Sequence, residues 1–166
     1  MSSGIIMTVF PLYASEQLGV SLTGVGLLMG VRSIGFVVAM FSMGAVSDRV
    51  GRRPVLLLGL GTTAFFLLIL SRAVTFVGLA AVILVLGVTT GAIWIVCPVL
   101  AAEAVAPDHR GAAIGTYRTF FDLGSILGPI IMSAVMEGLG IMVCFYIASA
   151  LLLANLIPTL KLQEGR

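Results

Sequence analysis

The chain has 166 residues, of which 60% are apolar and only 10% charged, with a net charge of +2 at pH 7 and a mean hydropathy of +1.20. A soluble domain carries roughly a quarter charged residues because its surface faces water, so a water-facing globule is excluded. The small net charge, with no basic stripe, also excludes nucleic acid as a partner.

Crossing the hydrocarbon core takes about 20 predominantly apolar residues in a helix. The first apolar stretch, 4–14, reaches only about 16 Å as a helix. It has no basic leader that would mark a signal peptide. It is expected to be the second half of a spanning helix whose beginning is absent, which would make the chain a fragment or truncated product of a longer protein. The second stretch, 22–46, is long enough to span and is interrupted by Arg32, about 15 Å from its start. Gly26 and Gly30 lie four apart on it, a spacing that lets helix backbones approach closely in lipid.

Between 22–46 and the next span, 54–71, stands Gly44-Ala45-Val46-Ser47-Asp48-Arg49-Val50-Gly51-Arg52-Arg53. A solvated basic loop explains Arg49, Arg52 and Arg53. It does not explain Asp48 among them, because acidic residues contribute little to topology, so Asp48 is expected to pair. The fourth stretch, 75–100, carries Thr89, Thr90, Trp94 and Cys97. It is followed by Glu103-Ala104-Val105-Ala106-Pro107-Asp108-His109-Arg110-Gly111, where His109 is read as a solvated loop-tip residue.

The fifth stretch, 111–136, holds Arg118 and Asp122 at i, i+4, a spacing that lets them pair on one helical face. Asp122 lies about 16 Å from the start of that stretch, at a depth close to that of Arg32. An ionised side chain near the bilayer centre costs about 2.5–3.5 kcal/mol on insertion scales, and such residues usually mark function. Gly111 and Gly115, then Gly124 and Gly128, repeat the close-approach spacing. They nominate the second and fifth helices as close-packed, which would bring Arg32 within reach of Asp122. Pro129 removes one backbone bond and is expected to bend this helix. The sixth stretch is 141–160. Cys97 and Cys144 lie in apolar runs and are read as small hydrophobes. No residue set calls for a cofactor or a metal, and no nucleophile–base pair or phosphate loop supports an enzyme.

Basic residues alternate from loop to loop. Arg49, Arg52, Arg53, Arg110, Lys161 and Arg166 fall on one side, and Arg72 alone on the other. By the positive-inside rule the first set and the C-terminus face the cytoplasm, in a multi-pass protein of the plasma membrane. Short loops make consecutive helices antiparallel neighbours. The fold class is therefore an all-α membrane protein, a six-helix transmembrane bundle with its first helix incomplete.

The decapeptide at 44–53 resembles the loop between the second and third helices of a half-domain in the major facilitator superfamily of transporters. Gly44, Asp48, Arg49, Gly51, Arg52 and Arg53 match its pattern, and Val46 departs from the usual leucine. The 103–111 segment resembles the equivalent second loop, and Gly124, Gly128 and Pro129 resemble a fifth-helix motif associated with antiporters, although Met132 and Ser133 stand where two glycines are usual. The resemblance implies one half of a twelve-helix fold, with the first loop as a cytoplasmic latch. It also implies that the first and fourth helices line a central cavity, where Thr8, Tyr13, Thr89, Thr90 and Trp94 are the polar or amphipathic candidates. Gly87 in place of a first-half arginine, the polar tail 160–166 and the opening Phe10-Pro11-Leu12-Tyr13 favour the C-terminal half. Asp122, as the partner of two cations, is expected to organise an interface or gate rather than to carry a coupling proton.

The function so implied is secondary transport of a small organic solute by alternating access, leaning toward proton-coupled efflux. The surplus of Arg32 and Arg118 over Asp122 favours anionic solutes. The partners are that solute, the lipid bilayer and a second six-helix half. The rival is a truncated or regulatory membrane half that pairs with another bundle and transports nothing.

Overall fold

A computed structural model describes residues 2–73 and 75–161. Arg166 and most of the polar tail, on which part of the orientation argument rests, lie outside the described residues. The elements are α1 (Ser2–Leu12), followed by a wide π turn over Tyr13–Gln17, then α2 (Leu22–Val50), α3 (Arg52–Leu70) and α4 (Phe76–Glu103). A short 3-10 turn at Pro107–His109 leads to α5 (Arg110–Leu139), α6 (Ile141–Ala154) and α7 (Leu156–Lys161). Among the described residues there is no strand. Also among the described residues, five helical segments are long and apolar enough to cross a membrane: Leu22–Val50, Arg52–Leu70, Phe76–Glu103, Pro107–Leu139 and Ile141–Leu160.

Local chemistry sets the ends. Ser21 caps α2, its hydroxyl oxygen accepting the Gly24 N–H at 3.2 Å, and Thr75 caps α4 by accepting from Gly78 at 3.2 Å. Such caps satisfy donors that the first helical turn leaves orphaned. Two reversals of the chain turn on single residues, Gly51 (φ 99°) and Gly140 (φ 89°). Only glycine adopts that backbone region readily, so these two positions let the chain reverse without a longer loop.

The helices outrun the apolar runs that announce them. The 22–46 expectation becomes Leu22–Val50, and most of the expected 47–53 loop is helix, with only Gly51 outside. Likewise 75–100 becomes Phe76–Glu103 and 111–136 becomes Arg110–Leu139. A helix of 29 residues is about 44 Å long, against roughly 30 Å of hydrocarbon, so its polar last turn lies beyond the lipid core. The expected single helix 141–160 is interrupted at Asn155. Pro158 has no N–H to give the Ala154 carbonyl, and its ring crowds that oxygen.

The bundle is organised around α4. α2 and α4 pack backbone to backbone: a β-carbon on Gly91 would stand 2.9 Å from the Phe36 carbonyl oxygen and 2.8 Å from Ala39 Cβ, and one on Gly35 would stand 2.5 Å from the Leu84 oxygen. This is small-residue packing of the kind that holds lipid-embedded helices together. It does not involve the expected glycines. Around Gly26, Gly30, Gly111 and Gly115 a β-carbon would meet open space. α2 and α5 are therefore not the close-packed pair; α4 is the helix that packs on both.

Polar ties cross the apolar contacts. Thr63 Oγ1 donates to Thr89 Oγ1 at 2.8 Å between α3 and α4, and Ser149 Oγ donates to the Ala64 carbonyl at 3.0 Å between α6 and α3. In α5 only Gly128 and Met132 are buried, so most of that helix presents its side chains outward.

Candidate functional site

Two sites emerge, a clasp at one end of the bundle and a pocket at mid-depth. The clasp grows from the Gly51 turn. Because α2 stays helical to Val50 and α3 begins at Arg52, Asp48 and Arg52 face each other across the reversal, with Arg52 donating to Asp48 Oδ1 at 3.1 Å. The same guanidinium forms an ion pair with Glu103 at the end of α4. Arg53 donates to the Leu160 carbonyl near the end of α7. The expected pairing of Asp48 is therefore present, and Arg52 extends it to a residue 51 positions away in the chain. Around Gly44, which also matches the pattern, a β-carbon would meet nothing within 4 Å. What Gly44 does supply is its carbonyl oxygen, which accepts from Ser47 Oγ at 2.8 Å.

The pocket lies where α1, α2, α4 and α5 meet. It has a volume of about 270 Å³ and is lined by Met7, Arg32, Ser33, Phe36, Val37, Trp94 and Phe121. Arg32 is 5% exposed, and its Nε has no hydrogen-bond partner among the described residues. The Ser33 hydroxyl is already committed to the Met29 carbonyl at 3.0 Å. Phe36 and Trp94 meet edge to face with centroids 6.0 Å apart. Pro98, four residues beyond Trp94, withholds the N–H that would bond the Trp94 carbonyl in an unbroken helix.

Arg118 sits at the rim of this pocket. Its guanidinium carbon is 5.8 Å from the Trp94 ring centroid and 6.0 Å from that of Phe121, within range of a cation–π attraction. Its Nε is 3.7 Å from Asp122 Oδ2. The expected i, i+4 pair is thus seen, on an exposed face of α5. The expected Arg32–Asp122 contact is absent among the described residues: Asp122 is exposed and pairs with Arg118, while Arg32 is enclosed on α2.

The five cavity candidates divide. Trp94 lines the mid-depth pocket, and Thr8 lines a second, shallower concavity with Pro129, Ser133 and Glu137. The other three are committed inside the bundle. Tyr13 is buried, with its hydroxyl donating to the Ser71 carbonyl at 3.3 Å and its ring edge-on to Phe145 at 5.3 Å. Thr90 donates to the Leu86 carbonyl at 2.6 Å, and Thr89 accepts from Thr63. Helix α5 runs through Pro129 without ending; the missing proline N–H releases the Ser125 carbonyl. His109 is exposed in the short turn before α5. Cys97 and Cys144 are free thiols, the latter donating weakly to the Met132 carbonyl at 3.6 Å.

Sequence reasoning named Arg32 and Trp94 separately and missed the pocket they share, as it missed Phe36, Phe121 and Thr63. The signal was present in Gly87 and Gly91, whose lack of side chains draws α4 onto the Arg32–Ala39 stretch of α2.

Comparison with known proteins identifies a family. The family model for the Major Facilitator Superfamily matches residues 1–164. The chain is 25% identical over 161 residues to a multidrug resistance protein, MdtG, of Proteus mirabilis, covering 95% of this chain and 40% of that protein. It is 34% identical over 135 residues to the class D tetracycline resistance protein of Salmonella ordonez, covering 79% of this chain and 34% of the other. An uncharacterized MFS-type transporter of Methanocaldococcus jannaschii is 28% identical over 166 residues, 97% of this chain and 42% of that protein. The chain therefore spans less than half the length of these relatives.

Proposed function

The chain belongs to the Major Facilitator Superfamily, and from that premise we propose that it forms one half of a secondary transporter that moves a small organic solute by alternating access. It is a multi-pass membrane protein, and six helix positions cannot by themselves enclose a path open to either side in turn. A companion six-helix half, covalent or contributed by a second copy, completes the path. This chain is the C-terminal half, on the strength of Gly87 and the opening of α1. The names of two relatives, which speak of multidrug and tetracycline resistance, support efflux of drug-like solutes, driven by protons.

The observation that carries this reading is the clasp. Arg52 ties the α2–α3 reversal to the far end of α4 through Glu103, so the ends of three helices are held by one half-buried cation. Ion pairs whose carboxylates are open to solvent, as those of Asp48 and Glu103 are, contribute only about 0–1 kcal/mol each, which makes the clasp easy to open. A gate between two access states needs such a small gap. The excess of arginine at this end supports its facing the cytoplasm, in the plasma membrane. Asp122, paired with Arg118, organises the α5 face rather than carrying protons.

A second reading is a bundle that pairs with another and transports nothing. The outward-facing length of α5 supports a companion bundle in either case, so flux separates the two. The complete gene product, reconstituted into liposomes under an imposed proton gradient, is expected to drive tetracycline accumulation that collapses with the gradient. A folded protein that moves neither tetracycline nor an amphipathic dye, with or without the gradient, favours the second reading.

A further inference from the structure

Arg32 and Arg118 approach the same aromatic cluster, but they are compensated differently. Arg118 is exposed, pairs with Asp122 at 3.7 Å and lies over Trp94 and Phe121. Arg32 is enclosed, its Nε lacks a partner, and no acidic side chain among the described residues pairs with it. A guanidinium offers five donors and no acceptor. With its Nε–H enclosed and unpaired it is unfavourable, and its planar fork matches the geometry of a carboxylate or a phosphate. The space it adjoins is walled by Phe36, Trp94 and Phe121, with Met7 and Val37.

Depth restricts what can arrive there. Arg32 is ten residues into α2, about 15 Å along the axis, which is half of a roughly 30 Å hydrocarbon core. A lipid headgroup phosphate does not reach that level. A strongly hydrated inorganic anion would leave the aromatic walls unused. At about 270 Å³ the pocket is slightly smaller than the roughly 300–1,000 Å³ of drug-sized sites, so it suits one or two rings. The geometry points to a binding site for an amphipathic aromatic carboxylate, its carboxylate on Arg32 and its ring between Phe36, Trp94 and Phe121. Calling this ligand the substrate rests on the transporter reading above; the binding itself does not.

Trp94 is the single tryptophan of the chain and stands in the pocket wall, so its fluorescence reports on this place alone. The 166-residue chain in lipid nanodiscs is titrated with 4-nitrobenzoate and with two probes of the same size, neutral 4-nitrobenzyl alcohol and cationic 4-nitrobenzylammonium. Saturable quenching by the carboxylate is expected at a concentration at least about tenfold lower than for either analogue, the weaker limit for a charge-assisted hydrogen bond. Arg32→Gln should abolish that preference while quenching by the alcohol persists, and Arg32→Lys, which keeps the charge but not the fork, should reduce it. Arg72→Gln, at the far end of the bundle, should leave it intact. Circular dichroism checks the fold of each variant. If Arg32→Gln does not fold, the wild-type preference and its reduction in Arg32→Lys decide the matter. Equal affinity for the three probes in the wild type, or a preference undiminished in the folded Arg32 variants, overturns the assignment. Because no gradient or flux is involved, this binding can fail while tetracycline transport stands, and the reverse.

Discussion

The backbone carbonyl of Arg32 occupies the space in which a β-carbon on Gly87 would stand. The contact that brings α4 against α2 is thus made at the residue whose side chain enters the mid-depth pocket. Gly87→Ala must push the helices apart. Overpacking of this kind costs about 1–3 kcal/mol, so the thermal midpoint in detergent should fall and Trp94 fluorescence should shift. Gly26→Ala, facing open space, should leave both within error. Equal tolerance of the two substitutions would contradict the α2–α4 packing.

The Thr63–Thr89 hydrogen bond joins α3 to α4 away from water. Interhelical bonds in membranes contribute about 0.6 kcal/mol on average and up to about 1.7. A double-mutant cycle with Thr63→Val and Thr89→Val should return a coupling energy in that range, measured by unfolding in mixed micelles. Additive effects would show that the two hydroxyls do not meet.

The break between α6 and α7 follows from Pro158. Pro158→Ala supplies the missing N–H for the Ala154 carbonyl and removes the ring clash. Amide exchange at residues 155–158 should slow as the two segments join into one helix. Unchanged exchange would place the cause of the break elsewhere.

Asp48 is well exposed, with 64% of its side chain accessible, and it holds Arg52 across the Gly51 turn. Asp48→Asn should cost no more than about 1 kcal/mol of stability, the upper value for an ion pair open to solvent. Its effect on transport should be larger than that figure suggests, because the clasp acts on the balance between two access states rather than on folding. A stability loss several times larger, with transport unchanged, would make Asp48 a structural residue only.

Hydropathy marks where lipid ends, and that is why the spans were legible while their ends were not. Asp48 and Arg49 end an apolar run, yet they extend α2 by a full turn because helical bonding continues into the headgroup layer. The Arg118–Asp122 pair was readable because i, i+4 geometry within one helix is local, and that Asp48 pairs was readable from its place among three arginines, though not which of them it holds. The Arg52–Glu103 link and the pocket shared by Arg32 and Trp94 were not, since both depend on which helices become neighbours. Glycine spacing pointed to Gly26 and Gly30, which face outward, rather than to Gly35, Gly87 and Gly91. A glycine four residues from another can serve close packing or merely face lipid, and one chain read alone does not separate the two. Tyr13, Thr89 and Thr90 carry a related ambiguity: a hydroxyl that lines a cavity and one that bonds a neighbouring backbone look the same in sequence.

The transporter reading stands or falls on whether Arg52 governs passage between access states. The direct measurement is solute flux by the complete gene product in liposomes, comparing wild type with Arg52→Gln at equal reconstituted amounts and equal helicity. Arg52→Gln should lower flux by at least about tenfold while tetracycline binding at equilibrium changes less than about twofold. Flux that is equal in the two proteins would contradict the clasp as a gate.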